Sequence, residues 1–504
     1  MSIRLRLLCA LLAAVCAAPS VAGDERPPLA LGQRLAYAAY VTGEGRDEVT
    51  AVAVDKRDGG IWIAGSSSSW REHTAPNQPY QAALQSGGRD GFIGKYKIKP
   101  DGSAELMYWT WFGGSGDEEI TAMAVDGDGR VYIVGSTTSS NFPWGGNAFQ
   151  KELSGGSDAF LAIFDTRFED RDALYYATLF GGAGAEKATA LAVLPGGKVA
   201  VVGNSSSTEY SLTADGLQAI QRGGWDAFFF LVDPAQQNSL LYATFFGGSS
   251  SDFATGVGVD SKGNFWMSGY TSSVDDFPVT DGAYRTTPAS NADGFVAMFD
   301  LRKPGLEALV YCTYFGGDGL DVPARMHIDS KDNIWVAGYT LSQDFPVTEN
   351  AYQKQQRGFG DAFLMKFDMT RQDIIAYSTL LGGVDGDVAN AMLVLPDGRA
   401  IVAGYTLSPD FPATPDSVQN RPASEFPEAF VTVINTNASG AAALEYSTFY
   451  GGNYIDVAND LAVDAAGNLL MVGYSTSTDL RTTDGSWKQS LPAIPAGIFI
   501  KIGN

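Results

Sequence analysis

A sevenfold repeat constrains this chain more than any other feature. Tyr, five residues, then Gly recurs as Tyr37…Gly43, Tyr108…Gly114, Tyr176…Gly182, Tyr242…Gly248, Tyr311…Gly317, Tyr377…Gly383 and Tyr446…Gly452. Successive copies lie 66 to 71 residues apart. A period of that length marks an array of like units. Each unit reads as four strands. In the second, residues 120–125 alternate, Asp126–Gly129 turns the chain, and 130–135, 158–164 and 174–180 follow. These runs are short, rich in Val, Ile, Tyr and Phe, and bounded by Gly and Asp, as strands are. Four-stranded units repeated radially make an all-β, seven-bladed β-propeller.

The two ends of the chain sharpen that expectation. The last unit offers three strands, near 460–463, 469–473 and 498–502, and no Tyr-x₅-Gly strand of its own. The first such strand, 35–41, has no strands before it. The N-terminal strand is therefore expected to complete the C-terminal blade, closing the ring and hiding two sheet edges that would otherwise invite aggregation.

The text of the repeat carries a resemblance. Tyr242–Gly248 is followed by Val257–Asp260, Gly263–Thr271, Asp276-Phe-Pro278, Gly282-Ala-Tyr284 and Asp293-Gly-Phe295. This run resembles the bacterial seven-bladed β-propeller repeat (SBBP) family over residues 34–504. Blades 1, 3 and 7 depart from it, with Trp70, Thr208–Tyr210 and Asp479–Leu480 in place of Asp-Phe-Pro. The resemblance implies an extracytoplasmic propeller and no particular reaction.

Residues 1–22 read as a signal peptide, with Arg4 and Arg6, an apolar run at 7–18 and a small-residue cleavage site at Ser20–Ala22. Residues 23–33 are a linker, and 34–504 one propeller. The expected location is secreted, periplasmic or on the cell surface, without membrane insertion and as a monomer. Cys9 and Cys16 leave with the signal peptide, so Cys312 has no disulfide partner and reads as a small buried thiol. The formal net charge of −23 argues against nucleic acid as a partner. Only His73 and His327 are available as imidazole ligands, which nearly excludes a His-based zinc site.

The acids fall in columns. Four residues after each repeat Gly stands a carboxylate: Asp47, Glu118, Glu186, Asp252, Asp321, Asp387 and Asp456. A second column, Asp90, Asp158, Asp226, Asp293, Asp361 and Glu428, precedes the third strand, with Ala496 breaking it in blade 7. Both belong on one face of the disc. Either they accept backbone N–H groups and hold turns, or the first column rings the channel mouth as oxygen ligands suited to calcium. Hairpin Asp residues such as Asp260 read as turn chemistry, with only a weak likeness to a sialidase Asp-box.

The loops between second and third strands are about twenty residues long and share that face; loops of this length are often functional. Phe142, Phe277, Phe345 and Phe411 are expected to pin them down. Trp70, Trp144 and Trp225 do not recur between blades and are the candidates for a specific contact. Arg46, Lys187 and Arg325 are basic intrusions near the acids, and Arg46 and Arg325 are candidates to orient an anionic ligand. The pattern suits a secreted or surface binding module that takes a glycan, peptide or protein on the long-loop face and needs no cofactor. An alternative is a carbohydrate-acting enzyme, a glycosidase or lyase, with its acids at the channel mouth. A third reading is a purely structural adhesion part.

Overall fold

Seven sheets of four antiparallel strands make up the described protein. A computed structural model covers residues 29–503 apart from 30, 33, 42, 44, 70–77, 86–87, 211, 291, 487 and 491–494. The expected signal peptide, Trp70 and His73 lie outside the described residues. Blade 1 runs Asp47–Val54, Ile61–Ser67, Asp90–Ile98 and Ala104–Phe112 from inner to outer strand. Blade 2 repeats this with Glu118–Val125, Arg130–Thr137, Asp158–Asp165 and Leu174–Phe180. Blades 3 to 6 begin at Glu186, Asp252, Asp321 and Asp387 in the same order.

Blade 7 takes Asp456–Val463, Leu469–Ser475 and Ala496–Ile502 from the C-terminus and Leu35–Val41 from the N-terminus. Ala38 lies opposite Ile500 in the antiparallel register. Tyr40 locks the closure by donating its hydroxyl to Ser477 O at 2.7 Å. The sequence expectation of a shared last blade holds.

Each sheet is covered on both faces by its neighbours, so its strands lose the alternation of a half-buried sheet. Every residue of Asp158–Asp165 is buried. This is why the sequence there is a continuous apolar run. Phe142, Phe277, Phe345 and Phe411 are buried as expected; Phe277 packs 4.8 Å from Phe295 and 5.1 Å from Phe246, ring centre to ring centre. Three 3-10 turns, Asp170–Ala173, Gly305–Ala308 and Gly440–Ala443, lead into the outer strands of blades 2, 4 and 6. Four residues are too few to leave a helical period, so the sequence did not betray them.

The inner strands share a bulge three residues after the first-column acid, and its side chain ties blade to blade. Thr50 Oγ1 donates to Ile120 O at 2.7 Å, Thr121 Oγ1 to Ala188 O at 2.7 Å, and Thr189 Oγ1 to Ala254 O at 2.8 Å. Asn390 and Asn459 do the same toward Ala458 O and Val49 O at 3.0 and 3.1 Å. Thr255 turns to Ser268 O within its own blade, and Ala324 has no donor to offer. Beside the bulge the second strand carries Gly. At Gly269 a Cβ would collide with Phe253 O, so only glycine lets the two strands come this close.

Candidate functional site

The first-column acids begin the inner strands, and the fold buries all seven at the blade junctions. Each accepts the N–H of the repeat Gly four residues earlier, at 2.7 Å for Asp47, Asp252 and Asp321, 2.8 Å for Asp387 and Asp456, and 2.9 Å for Glu118 and Glu186. Hydroxyls from the end of the second strand complete each set. Ser205 and Ser207 reach Glu186 at 2.8 and 2.6 Å, and Ser475 and Ser477 reach Asp456 at 2.5 and 2.8 Å. Among the described residues no three His, Cys, Asp or Glu side chains converge as a metal-holding group.

The second column is buried against the first. Asp158 Oδ2 accepts Gln150 Nε2 at 2.6 Å, and Gln150 Oε1 accepts Gly181 N–H at 3.0 Å. Gln81, Gln218, Gln353 and Gln419 serve Asp90, Asp226, Asp361 and Glu428 in the same way. A Gln eight or nine residues before each acid was the available sequence signal. In blade 4 Arg285 holds that place, and its Nη1 donates to Gly316 O at 2.8 Å.

The two columns meet at the glycines between them. A Cβ added at Gly382 would lie 2.6 Å from both Asp361 Oδ1 and Asp387 Oδ2. Among the described residues, Asp90, Asp158 and Asp361 each keep an Oδ1 with no hydrogen-bond partner. Burial pushes the Asp90, Asp158 and Asp226 carboxyls up to about 6, and those of Asp361, Glu428 and Glu118 up to about 7. The adjacent carboxylate adds to the rise, as Glu186 does for Asp158.

The channel mouth itself is not lined by these acids. Its wall is set by the residue after each one, and here the sevenfold symmetry breaks. In blades 1 to 3 that residue and its cross-strand partner are Glu48/Ser66, Glu119/Ser136 and Lys187/Asn204. In blades 4 to 7 they are Phe253/Tyr270, Val322/Tyr339, Val388/Tyr405 and Val457/Tyr474. One arc of the mouth is charged and the other is apolar and aromatic. The sequence carries this signal one residue after each acid, where the regular recurrence of the acids masks it.

A cavity of about 230 Å³ opens where the two arcs meet, between Lys187, Thr189 and Asn204 on one side and Phe253, Tyr270, Val322, Tyr339 and Val388 on the other. Trp225 leads into it. Its ring lies 6.3 Å from Phe253, which in turn stacks at 4.9 Å on Tyr270. Trp144 is not part of this ladder. It is half exposed, with Lys151 Nζ 4.1 Å over its ring, beside Gly145, which pairs with Ala177 in the outer strand of blade 2.

The basic candidates also separate. Arg46 is exposed at the turn into blade 1, where its amide donates to Ser68 Oγ at 2.9 Å. Lys187 pairs with Glu119 at 2.8 Å on the charged arc. Arg325 is buried deeper, four residues past its acid, and binds Asp460 of blade 7 rather than the acid ring. Glu48 accepts from Asn459 Nδ2 at 3.2 Å, and burial raises its carboxyl. Cys312 is fully buried and its thiol is held well above the usual range, which leaves it inert. Asp260 accepts from Lys262 N, Asn264 N and Trp266 Nε1, as a turn-holding residue does.

Residues 110–143 match the family model of the SBBP β-propeller repeat. Solved structures with a similar chain path include a puromycin hydrolase S511A mutant complexed with PGG, at 12% identity and a TM-score of 0.37, covering 92% of this chain and 54% of that one. The chain thus spans about half the length of that hydrolase. Another is the PQQ-bound aldose sugar dehydrogenase from Streptomyces coelicolor, at 11% identity and a TM-score of 0.30, covering 94% and 99% of the two chains. A eukaryotic initiation factor matches at 9% identity and a TM-score of 0.28, covering 82% and 98%. No curated protein matches this chain. Among the described residues no helix is long and apolar enough to cross a membrane.

Proposed function

For a chain that is an SBBP-repeat β-propeller, we propose the role of an extracytoplasmic binding module that receives a glycan, peptide or protein ligand at the channel mouth on its long-loop face. The observation that carries this reading is the asymmetric cavity of about 230 Å³, with an aromatic wall facing a polar one. Apolar concavities with a few convergent polar groups are the ordinary form of ligand sites. The Trp225–Phe253–Tyr270 stack extends the aromatic wall outward toward the long loops.

The enzyme alternative draws no support from the acids. A general acid or base must come within hydrogen-bond reach of its substrate. Both acidic columns instead face glycine N–H groups, Gln amides and hydroxyls inside the blade junctions.

The test is to screen the mature protein against glycan and peptide arrays and then to titrate the hits with Tyr270→Ala and Trp225→Ala. Both variants are expected to keep the wild-type melting temperature within a few degrees, and Tyr270→Ala to weaken binding by about tenfold, the effect of losing about 1.4 kcal/mol. Unchanged binding by both folded variants would place the site elsewhere. Culture fractionation checks the extracytoplasmic location.

A further inference from the structure

The channel cavity has a chemical bias that the net charge of the chain does not. In a protein of formal charge −23, the lining of this cavity among the described residues contains no carboxylate and one charged side chain, Lys187. Asn204 stands beside it with a fixed amide orientation. Its Oδ1 accepts Ala254 N–H at 2.8 Å, which leaves Nδ2 as a donor with no protein partner among the described residues. Lys187 Nζ is held by Glu119 at 2.8 Å, but both side chains remain partly exposed, at 27% and 38%. Such a pair contributes little by itself, and the ammonium has two further N–H groups to offer.

The facing wall is apolar. Phe253 and Tyr270 present the end of an aromatic stack, and Val322 and Tyr339 continue the surface. The volume of about 230 Å³ lies below the roughly 300–1,000 Å³ of sites that engulf a drug-sized ligand. It suits one end group of a ligand rather than a stretch of polymer.

We propose that the cavity takes an apolar carboxylate: a flat hydrophobic group against Phe253, Tyr270 and Tyr339, with its carboxylate met by Lys187 Nζ and Asn204 Nδ2. This rests on the binding-module reading and narrows it. The same chemistry is offered by a free aromatic acid and by the carboxy-terminal residue of a peptide.

The test uses the mature protein and calorimetric titration with four probes: 3-phenylpropionate, its primary amide, a tetrapeptide ending in Phe with a free carboxylate, and the same peptide amidated. Each acid is expected to bind about tenfold more tightly than its amide, as one hydrogen-bonded charge implies. Lys187→Met is expected to erase that preference, and Lys187→Arg to keep most of it. Tyr270→Ala is expected to weaken acid and amide alike. Preference for the peptide acid over 3-phenylpropionate assigns the source to a chain terminus, and the reverse assigns it to a free acid.

Equal binding of acid and amide overturns the proposal, as does a preference that survives Lys187→Met or the absence of any acid binding at millimolar concentration. If a neutral glycan or an amidated peptide instead binds in a Tyr270-dependent way, the carboxylate inference fails and the binding module stands. If every ligand found on the arrays ignores both Tyr270→Ala and Trp225→Ala, the channel-mouth reading fails as well. Melting curves confirm that each variant is folded.

Discussion

Arg325 of blade 5 donates from Nη2 to Asp460 Oδ1 of blade 7 at 2.9 Å, and both side chains are only 3% exposed. Asp460 Oδ2 also accepts Val52 N–H of blade 1 at 2.9 Å, so one carboxylate ties three blades together across the lumen. The pair sits where other blades carry Ala51, Ala122, Ala190, Gly256 and Ala391. Burial works to raise the Asp460 carboxyl and the guanidinium works against that rise.

Removing one partner should therefore cost far more than removing both. Arg325→Met leaves a buried carboxylate unpaired and is expected to destabilise by about 3–5 kcal/mol. Arg325→Met with Asp460→Leu is expected to recover most of that loss. Urea denaturation of the two variants decides it; equal losses would mean that the pair contributes packing alone.

The facing carboxylates at the blade junctions set a pH dependence. In the folded protein the Asp158 and Asp226 carboxyls lie at about 6 and those of Asp361 and Glu118 at about 7, against about 4 in an unfolded chain. A raised folded value means that the native state binds the extra proton, so the favourable contribution is complete below about pH 4 and is lost as pH rises through 6 to 7. Groups held low, such as Asp165 at about 2 beside Arg167, act only at the acid end. Stability is expected to be greatest near pH 5 and to decline toward pH 8, in a chain whose strong net negative charge pulls the same way.

Asp158→Asn separates the paired acids from net charge. The amide keeps an oxygen for Gln150 and Ser154 and turns its N–H toward Glu186, as a protonated carboxyl would. The variant is expected to gain on the order of 1 kcal/mol at pH 8 relative to pH 5, because only about one of the units between the unfolded value and the folded value of about 6 lies above pH 5. A loss of stability at pH 8 greater than at pH 5 would show that the ionised acid is what the junction requires.

Calcium is expected to leave the melting temperature unchanged, and so is a chelator. The first-column acids already accept glycine N–H and hydroxyl donors within their own junctions. A ligand that binds only the native state raises stability by mass action. A calcium-dependent rise that disappears in Asp252→Asn with Asp321→Asn would assign the ring to an ion after all.

Deleting residues 23–43 removes the outer strand of blade 7 and bares Ala496–Ile502 as an unpaired edge. Aggregation or a loss of cooperative unfolding is expected. Tyr40→Phe is the gentle version: it removes the 2.7 Å bond to Ser477 O and should cost about 1 kcal/mol. A truncated chain that stays monomeric with an unchanged melting temperature would mean that blade 7 closes without its N-terminal strand.

The two acidic columns were legible because each is written inside one repeat, the blade count because the repeat recurs, and the shared last blade because its strands are divided between residues 35–41 and 456–502. Tyr242, Gly248 and Asp252 are near neighbours in the chain, and the contact is local in sequence: the Gly248 N–H reaches Asp252 at 2.7 Å in the short connection from blade 3 to blade 4. The same regularity concealed the site. A ring is read by its period, whereas a ligand pocket depends on where the period fails. The change from Lys187/Asn204 to Phe253/Tyr270 is visible in the letters, yet only closure of the ring places Lys187 and Val388 on one cavity. Arg325 and Asp460 are 135 residues apart and look like two unrelated exceptions until the lumen joins them. Trp144 and Trp225 looked alike in sequence. The tertiary structure sends one to an outer strand and the other to the channel, because radial position in a propeller depends on how each loop folds back over its blade.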